Sequence, residues 1–370
     1  MALPPLVAPV ARLSEREAAR TARHAVLYPL GEEGQRRLAA AHVAIVGAGG
    51  LGSPAVLALA AAGVGTLTVI DDDVVEHSNL QRQVLHRHTD IGSDKVASAV
   101  RGARDLAPEM RVVPVRERIT RENAGRLLEG ADVVLDGTDT FATREVVAEA
   151  CERSGVPLVW GVVQEFHAQV TVFWSRPPAG APATRLADLY PPGAAGNVPS
   201  CAEVGVLGAL VMQIGSLMAT QAILLIAGIG EPLVGRIALV DALRGTVREA
   251  PLRGSSSAAP PAPAASAEVR AADLASALAG SAPPFVVDVR SEDERAGDAI
   301  PSSIGIALPE ILAAPAEAAA RIRDRAGDRD VVVVCQKGVR SARAAAVLAR
   351  AGLASRSLAG GMDAWDGVRS

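Results

Sequence analysis

Residues 42–53 read HVAIVGAGGLGS, and this stretch decides the fold class. Val43–Val46 is a short apolar run suited to a buried strand, and PAVLALAAA (54–62) is suited to a helix. Between them, Gly47, Gly49 and Gly52 form a Gly-x-Gly-x-x-Gly turn, with Gly50 a further glycine inside it. Such a turn lets the backbone approach a nucleotide phosphate at a helix N-terminus. The glycines alone do not separate NAD from ATP.

Outward from this turn, strand-like and helix-like runs alternate. Strands are expected at Thr66–Ile70, Arg111–Val115, Asp132–Leu135 and Pro157–Val163. Helices are expected from Pro54 to Ala62, from an N-cap at Ser93 to Leu106, from Thr120, and over Thr143–Ser154. That alternation implies an α/β fold with a mostly parallel sheet. Gln169–Trp174, Arg236–Val240 and Thr246–Glu249 read as added antiparallel strands. Residues 176–200 form a long Pro/Gly-rich loop, of a length that is usually functional or mobile.

A composition break at RGSSSAAPPAPAASA (253–267) reads as a tether. The chain is therefore divided into a nucleotide-binding domain (1–252), a linker (253–267) and a small domain (268–370). Net charge is −4, which gives no electrostatic case for a nucleic-acid partner. The three cysteines, Cys151, Cys201 and Cys335, lie far apart and form no disulfide framework. With no signal-peptide pattern at the N-terminus, a cytoplasmic protein is expected. The uncharged run Val204–Ile229 is long enough to span a bilayer, but Gln213, Gln221 and four glycines interrupt it. It reads as buried helix, and no membrane association is expected.

The segment DDDVVEHSNLQRQ (71–83) separates the two nucleotides. Asp71, Asp73, Asn79, Gln81 and Arg82 crowd one rim, with Gln83 also a candidate ATP-binding residue, and Lys95 follows at the start of the next helix. Hydride transfer needs a flat apolar pocket for nicotinamide. Adenylyl transfer needs fixed cations, because negative charge is redistributed as pyrophosphate leaves. VVLDGTDT (133–140) then sets Asp136 and Asp139 at a strand end, where a carboxylate opposite phosphates is suited to Mg²⁺. Glu76, His77 and His86 read as surface or packing residues, and His42 as a boundary residue.

Together, GAGGLGS, the D-x-D…NLQRQ run, Lys95 and Thr138-Asp139 resemble the MoeB/ThiF type of ubiquitin-activating-like adenylyltransferases. RTARH (20–24) and GEEGQRRL (31–38) are similar to that family's N-terminal segment, and the resemblance spans about Arg20–Arg253. It implies a Rossmann-like fold, ATP with Mg²⁺, and a homodimer in which Arg23 reaches the neighbour's ATP site. It further implies Asp71 and Asn79 at the ribose, Arg82 and Lys95 at the phosphates, and Asp139 at the metal. The substrate it implies is a small ubiquitin-like sulfur-carrier protein ending in Gly-Gly.

The chain departs from the family at its two zinc-binding C-x-x-C pairs, where it reads PATRLADL (182–189) and APLRGSSS (250–257). Three cysteines cannot make a four-thiolate site in one subunit, so no structural zinc is expected and the dimer core is expected to stabilise that lobe. Thr140 stands in place of the family's Asn, and Thr21 where Tyr is common.

In the small domain, the strand Val331–Val334 leads into CQKGVRS: Cys335, Gln336, Lys337, Gly338, Val339, Arg340 and Ser341. A helix is expected over Ala342–Ala351. A cysteine between a strand and a helix N-terminus, with Lys337 and Arg340 nearby, sits where a thiolate or a bound persulfide is favoured. With DVR (288–290) and LAGGMDAW (358–365), this loop resembles the rhodanese sulfurtransferase domain over about Glu268–Gly367. AIPSSIGI (299–306) departs from the usual His-Ile-Pro-Gly-Ala run. Cys201, in NVPSCAEVG (197–205), stands where the adenylyltransferase family has a cysteine active in sulfur transfer. Cys151 reads as helix packing.

The expected activity is adenylation of the carrier followed by sulfur transfer from a Cys335 persulfide. The donor would be a cysteine desulfurase or thiosulfate. Three rivals are an NAD-dependent dehydrogenase, a conjugating enzyme with a Cys201 thioester, and a non-catalytic carrier-binding module.

Overall fold

The computed structural model describes residues 3–191, 204–254 and 268–369. The chain divides into two compact units, Met1–Ser256 and Ser257–Ser370.

The first unit is built on an eight-stranded sheet. Its strands are β1 (His42–Val46), β2 (Thr66–Ile70), β3 (Arg111–Val115), β4 (Val133–Asp136), β5 (Leu158–Gln164), β6 (His167–Phe173), β7 (Arg236–Asp241) and β8 (Thr246–Pro251), in the order β3-β2-β1-β4-β5-β6-β7-β8. The first five are parallel. The pairs β5–β6, β6–β7 and β7–β8 are antiparallel, as the sequence implied. Strand order reverses beside β1, which lies between β2 and β4. The crevice at the carboxyl ends of these three strands is where such sheets bind ligands.

Helix Gly208–Ala227 runs across one face of the sheet against helices Gly31–Ala40 and Gly52–Ala62. It is long and apolar enough to cross a membrane, yet more than half of its most apolar window is buried in the fold. Gly215 lets it approach the turn so closely that a Cβ there would lie 2.4 Å from Leu51 O. The opposite face carries helix Phe141–Ser154, packed around Trp160, Phe173 and Cys151. Burial pushes the Cys151 thiol above its ordinary range.

Local boundaries differ from the sequence reading where side chains compete with the helix. Asp94, not Ser93, is the N-cap of helix Lys95–Leu106: the Asp94 carbonyl accepts from Ala97 N, whereas the Ser93 carbonyl is spent on Val75 N. Thr120 does not start a helix. Its N–H donates to Asn123 Oδ1, and only Ala124–Leu127 is helical. In the second unit, Gly338 at φ 88° starts the helix at Val339, three residues before the expected Ala342.

The second unit has five parallel strands: β9 (Glu268–Val269), β10 (Phe285–Asp288), β11 (Ile304–Gly305), β12 (Val331–Val334) and β13 (Arg356–Leu358). Their order is β11-β10-β12-β13-β9, with helices on both faces.

Candidate active sites

The turn after β1 is sterically committed to glycine. Gly47 adopts φ 89°, and a Cβ on Gly52 would lie 1.8 Å from Gly47 O. Asp71, at the end of β2, braces the turn: its Oδ2 accepts from Ala48 N at 2.7 Å and its Oδ1 from Asp73 N at 2.9 Å. Burial raises the Asp71 carboxyl above its ordinary value, against the opposing charge of Lys95.

Gly47, Gly49, Gly50, Asp71, Asp73, Arg82, Gln83, Lys95 and Asp139 all line one cavity at the strand ends. Lys95 is nearly buried and its Nζ lies 2.9 Å from Asp73 Oδ2. A salt bridge so placed lets an incoming phosphate compete for the ammonium. Gly52 lies beneath the turn rather than on the cavity.

Asn79, like Gly52, does not line the cavity, and Arg23, expected to reach a neighbour's site, does not line that of its own chain. Arg23 is exposed on the short helix Ala22–Ala25. Asn79 is buried, and its Oδ1 accepts from Glu76 N at 3.0 Å. The Asn79 carbonyl accepts from Arg82 N and Gln83 N, so this residue sets the direction of the two that do line the cavity.

The carboxylates at the end of β4 divide their roles by depth. Asp136 is fully buried, and its Oδ1 accepts from Thr138 N at 3.0 Å and Thr138 Oγ1 at 2.7 Å. Burial raises its carboxyl above the ordinary range, against the Arg144 charge. Asp136 therefore shapes the turn, while Asp139 is exposed on the cavity with no ion pair among the described residues. Thr140 caps the following helix, accepting from Thr143 N.

Arg144 escaped the sequence reading. Its side chain is buried, donates through Nε and Nη2 to Thr138 O, and lies 5.8 Å from the Trp160 ring centroid. It lines the cavity and also a neighbouring groove with Phe141, Gln169 and Tyr190. The available signal was Thr140-x-x-Thr143-Arg144, since positions three and four beyond a cap return to the same helix face.

His86, read as a surface or packing residue, is a packing residue. It is buried beneath the glycine turn, with Nε2 3.2 Å from Ala48 O. Burial, then the Lys95 charge, lower its pKa from 6.5 to about 4. The folded state thus binds this proton later than the unfolded chain as pH falls. Its contribution is complete above pH ~6.5 and is lost progressively down to pH ~4, for on the order of 2–3 kcal/mol. Urea unfolding of the wild type and His86→Gln at pH 7 and 4.5 checks this. The variant should lose that part of the pH slope, and an unchanged slope would refute the assignment.

The stretches that replace the C-x-x-C pairs are held within the chain. Trp174 and Thr184 exchange both backbone hydrogen bonds, at 2.9 and 3.0 Å. Leu186 and Leu252 are buried in the cluster around Trp160. A Cβ on Gly254 would lie 2.3 Å from Ala183 O, so the two stretches approach closely. Apolar packing inside the subunit thus supports the lobe. Leu186→Ala should cost ~2–5 kcal/mol in chemical denaturation. Metal analysis should find no stoichiometric zinc, and a chelator should leave the unfolding midpoint unchanged.

In the second unit, Cys335 follows β12 directly, is 1 % exposed, and has its Sγ 3.4 Å from Ser341 Oγ. The loop is pinned from below: Met362 N donates to Cys335 O and Asp363 N to Gln336 O. Arg290 is buried against Asp288, and its Nη1 donates to Gln336 Oε1 at 3.0 Å. Lys337 is exposed, whereas Arg340 is paired with Glu294. Cys201 and the segment 255–267 lie outside the described residues.

A glycine-turn cavity rimmed by cations and a strand-end cysteine loop define an adenylyltransferase joined to a sulfurtransferase domain. Residues 21–260 match the ThiF family and residues 271–367 the rhodanese-like domain, and the chain belongs to the ThiF family. It is an enzyme, an adenylyltransferase and sulfurtransferase.

Over 98 % of its length the chain is 41 % identical to the probable adenylyltransferase/sulfurtransferase MoeZ of Mycobacterium tuberculosis, covering 96 % of that protein. It is 43 % identical to the sulfur carrier protein adenylyltransferase of Thermus thermophilus, over 65 % of this chain and 90 % of that one. The Bos taurus adenylyltransferase and sulfurtransferase MOCS3 is 45 % identical over 65 % of this chain and 52 % of its own. E. coli MccB, solved with ATP, shares the fold at TM-score 0.53 and 20 % identity, over 61 % of this chain and 68 % of that one.

Proposed function

We propose that the first domain (1–252) adenylates the C-terminal glycine of a ubiquitin-like sulfur carrier, and that the rhodanese domain (268–370) then delivers sulfur to it across the 253–267 linker. The observation that carries this is one chain holding both a cation-rimmed glycine-turn cavity and a Cys335 loop with a buried thiol. The substrate reading is supported by the Thermus relative, a sulfur carrier protein adenylyltransferase by name.

A carrier tail carboxylate would attack the α-phosphorus of ATP and expel pyrophosphate. Arg82 and Lys95 would hold the phosphates, Lys95 by exchanging Asp73 for a phosphate oxygen, and Asp71 would lie at the ribose. Asn79 would act by aiming Arg82 and Gln83. Asp139, an exposed carboxylate on the cavity, suits a Mg²⁺ ion, which would screen phosphate charge when bound.

The terminal sulfur of a Cys335 persulfide would then attack the acyl carbon and expel AMP. A second thiol, for which Cys201 is the candidate, would attack the Cys335 sulfur. The thiocarboxylate leaves and a disulfide remains, which a thiol reductant reopens. The tether makes this second encounter intramolecular.

The protein would act in the cytoplasm as a homodimer, with Arg23 entering the neighbour's cavity. The strongly exposed Val26, Leu27 and Tyr28 beside Arg23 support burial of this segment by a second subunit. The test is intact-mass measurement of candidate carriers after incubation with ATP and a sulfur donor. Replacement of one carboxyl oxygen by sulfur is expected. NAD turnover without carrier-dependent pyrophosphate exchange would sink the proposal.

A further inference from the structure

The Cys335 loop is close to electroneutral. Arg290, Lys337 and Arg340 are cations on or bonded to the loop, and Asp288, Glu294 and Asp363 are carboxylates bonded to these cations or to Gln336. Arg290 is committed to Asp288 at 2.8 Å, and Asp363 Oδ1 accepts from Gln336 Nε2 at 2.6 Å. Arg340 donates through both terminal nitrogens to Glu294, at 2.8 and 2.6 Å, so the fork that would bind an oxyanion is already filled. Among the described residues Lys337 alone of these cations has no ion pair.

Glu294 is itself fixed in place. It is the N3 residue of a capping box, and its Oε2 accepts from Ser291 N at 3.0 Å and Ser291 Oγ at 2.9 Å. Chiefly through Arg340, its pKa is lowered from 4.5 to about 2, so the carboxylate stays charged throughout the working range. Arg340 lies within electrostatic reach of Cys335, whose charge contributes to raising the Arg340 pKa.

Thiosulfate brings two negative charges to this loop. It must either displace Glu294 from Arg340 or approach the helix N-terminus with Lys337 as the one unpaired side-chain cation of the three. An organic persulfide brings at most one charge at its sulfur and needs no oxyanion site.

We propose that Glu294 is a specificity-determining residue which, by occupying Arg340, selects an organic persulfide over thiosulfate as the sulfur donor to Cys335. This rests on the reading of Cys335 as the sulfur-carrying thiol. The Cys335 thiolate attacks the terminal sulfur of R–S–SH, the S–S bond of the donor breaks, and R–S⁻ leaves to take up a proton. Cys335 gains one sulfur, and no external oxidant or reductant is consumed.

The test compares thiosulfate and hydroxyethyl persulfide as donors to the full-length chain, with Cys335 loading followed by intact mass. Glu294→Gln keeps an acceptor for the capping box and removes the charge. It should raise kcat/KM for thiosulfate about tenfold, mainly through a lower KM, while the persulfide rate changes less than about twofold. Adding Arg340→Gln should abolish the thiosulfate gain. An unchanged thiosulfate rate in Glu294→Gln, or equal changes for both donors, would overturn the donor-selection inference and leave the role of Cys335 standing. Loading that persists in Cys335→Ala, or absence of loading by both donors, would overturn the reading of Cys335 and the inference with it.

Discussion

Replacing Cys335 by alanine is expected to reduce thiocarboxylate formation by ~10³-fold or more, while carrier-dependent pyrophosphate exchange stays within about twofold of wild type. The split follows from chemistry. Adenylation breaks a P–O bond and uses the charges around the glycine turn. The sulfur step needs a nucleophile that only the second domain provides in this proposal. Cys335→Ser serves as the near-isosteric control: its hydroxyl can still meet Ser341 Oγ, 3.4 Å from Sγ in the wild type, so a loss in both variants cannot be ascribed to packing. Thiocarboxylate formed at normal rate by Cys335→Ala would sink the sulfur relay and leave conjugation or simple activation as the role of the first domain.

Arg82→Ala and Asp139→Ala should each lower carrier-dependent pyrophosphate exchange by ~10²–10³-fold, the size typical of removing one fixed charge from a developing transition-state charge. Neither side chain is buried, so stability should change little and the loss should appear in rate rather than in folding. Arg23→Ala should behave similarly if the homodimer proposal holds. Mixing Arg23→Ala with Asp139→Ala subunits should then restore about a quarter of wild-type activity, because half of the dimers contain one intact composite site. No recovery on mixing would place Arg23 outside the neighbour's cavity. Full exchange activity in Arg82→Ala would remove the argument that separates ATP from NAD at this turn.

The residues of the two sites differ in how local their structural demands are. The glycine turn was legible in sequence because its demand is local: positive φ at Gly47 and the absence of a Cβ at Gly52 follow from a strand entering a helix within six residues. Lys95 and Arg82 were legible because spacing along one strand–helix unit places them at the same rim. Arg144 was missed, and His86 was left between surface and packing, because each acquires its position from distant partners. Arg144 meets Trp160 on a neighbouring strand, and His86 meets Ala48 across a separate turn.

The antiparallel half of the sheet was readable from runs of β-forming residues. The helix at 339 was misplaced by three residues because only the folded loop shows Gly338 serving as its cap. The pairing of Glu294 with Arg340 joins residues forty-six positions apart. No periodicity records such a contact.

By itself, the sequence determined the two-domain plan, the α/β class, the nucleotide turn and the two chemical loops. These depend on glycine geometry, hydrophobic period and charge spacing, all set within a few residues. Only the tertiary structure decided how the carboxylates divide. Asp136 is buried to build a turn while Asp139 stays on the cavity, and Asn79 turns inward to aim Arg82. It also decided what fills the place of the metal-binding cysteines, and which cation at Cys335 is already held by a carboxylate. Those outcomes rest on burial and on contacts between remote segments, and both exist only once the sheet has closed over its core.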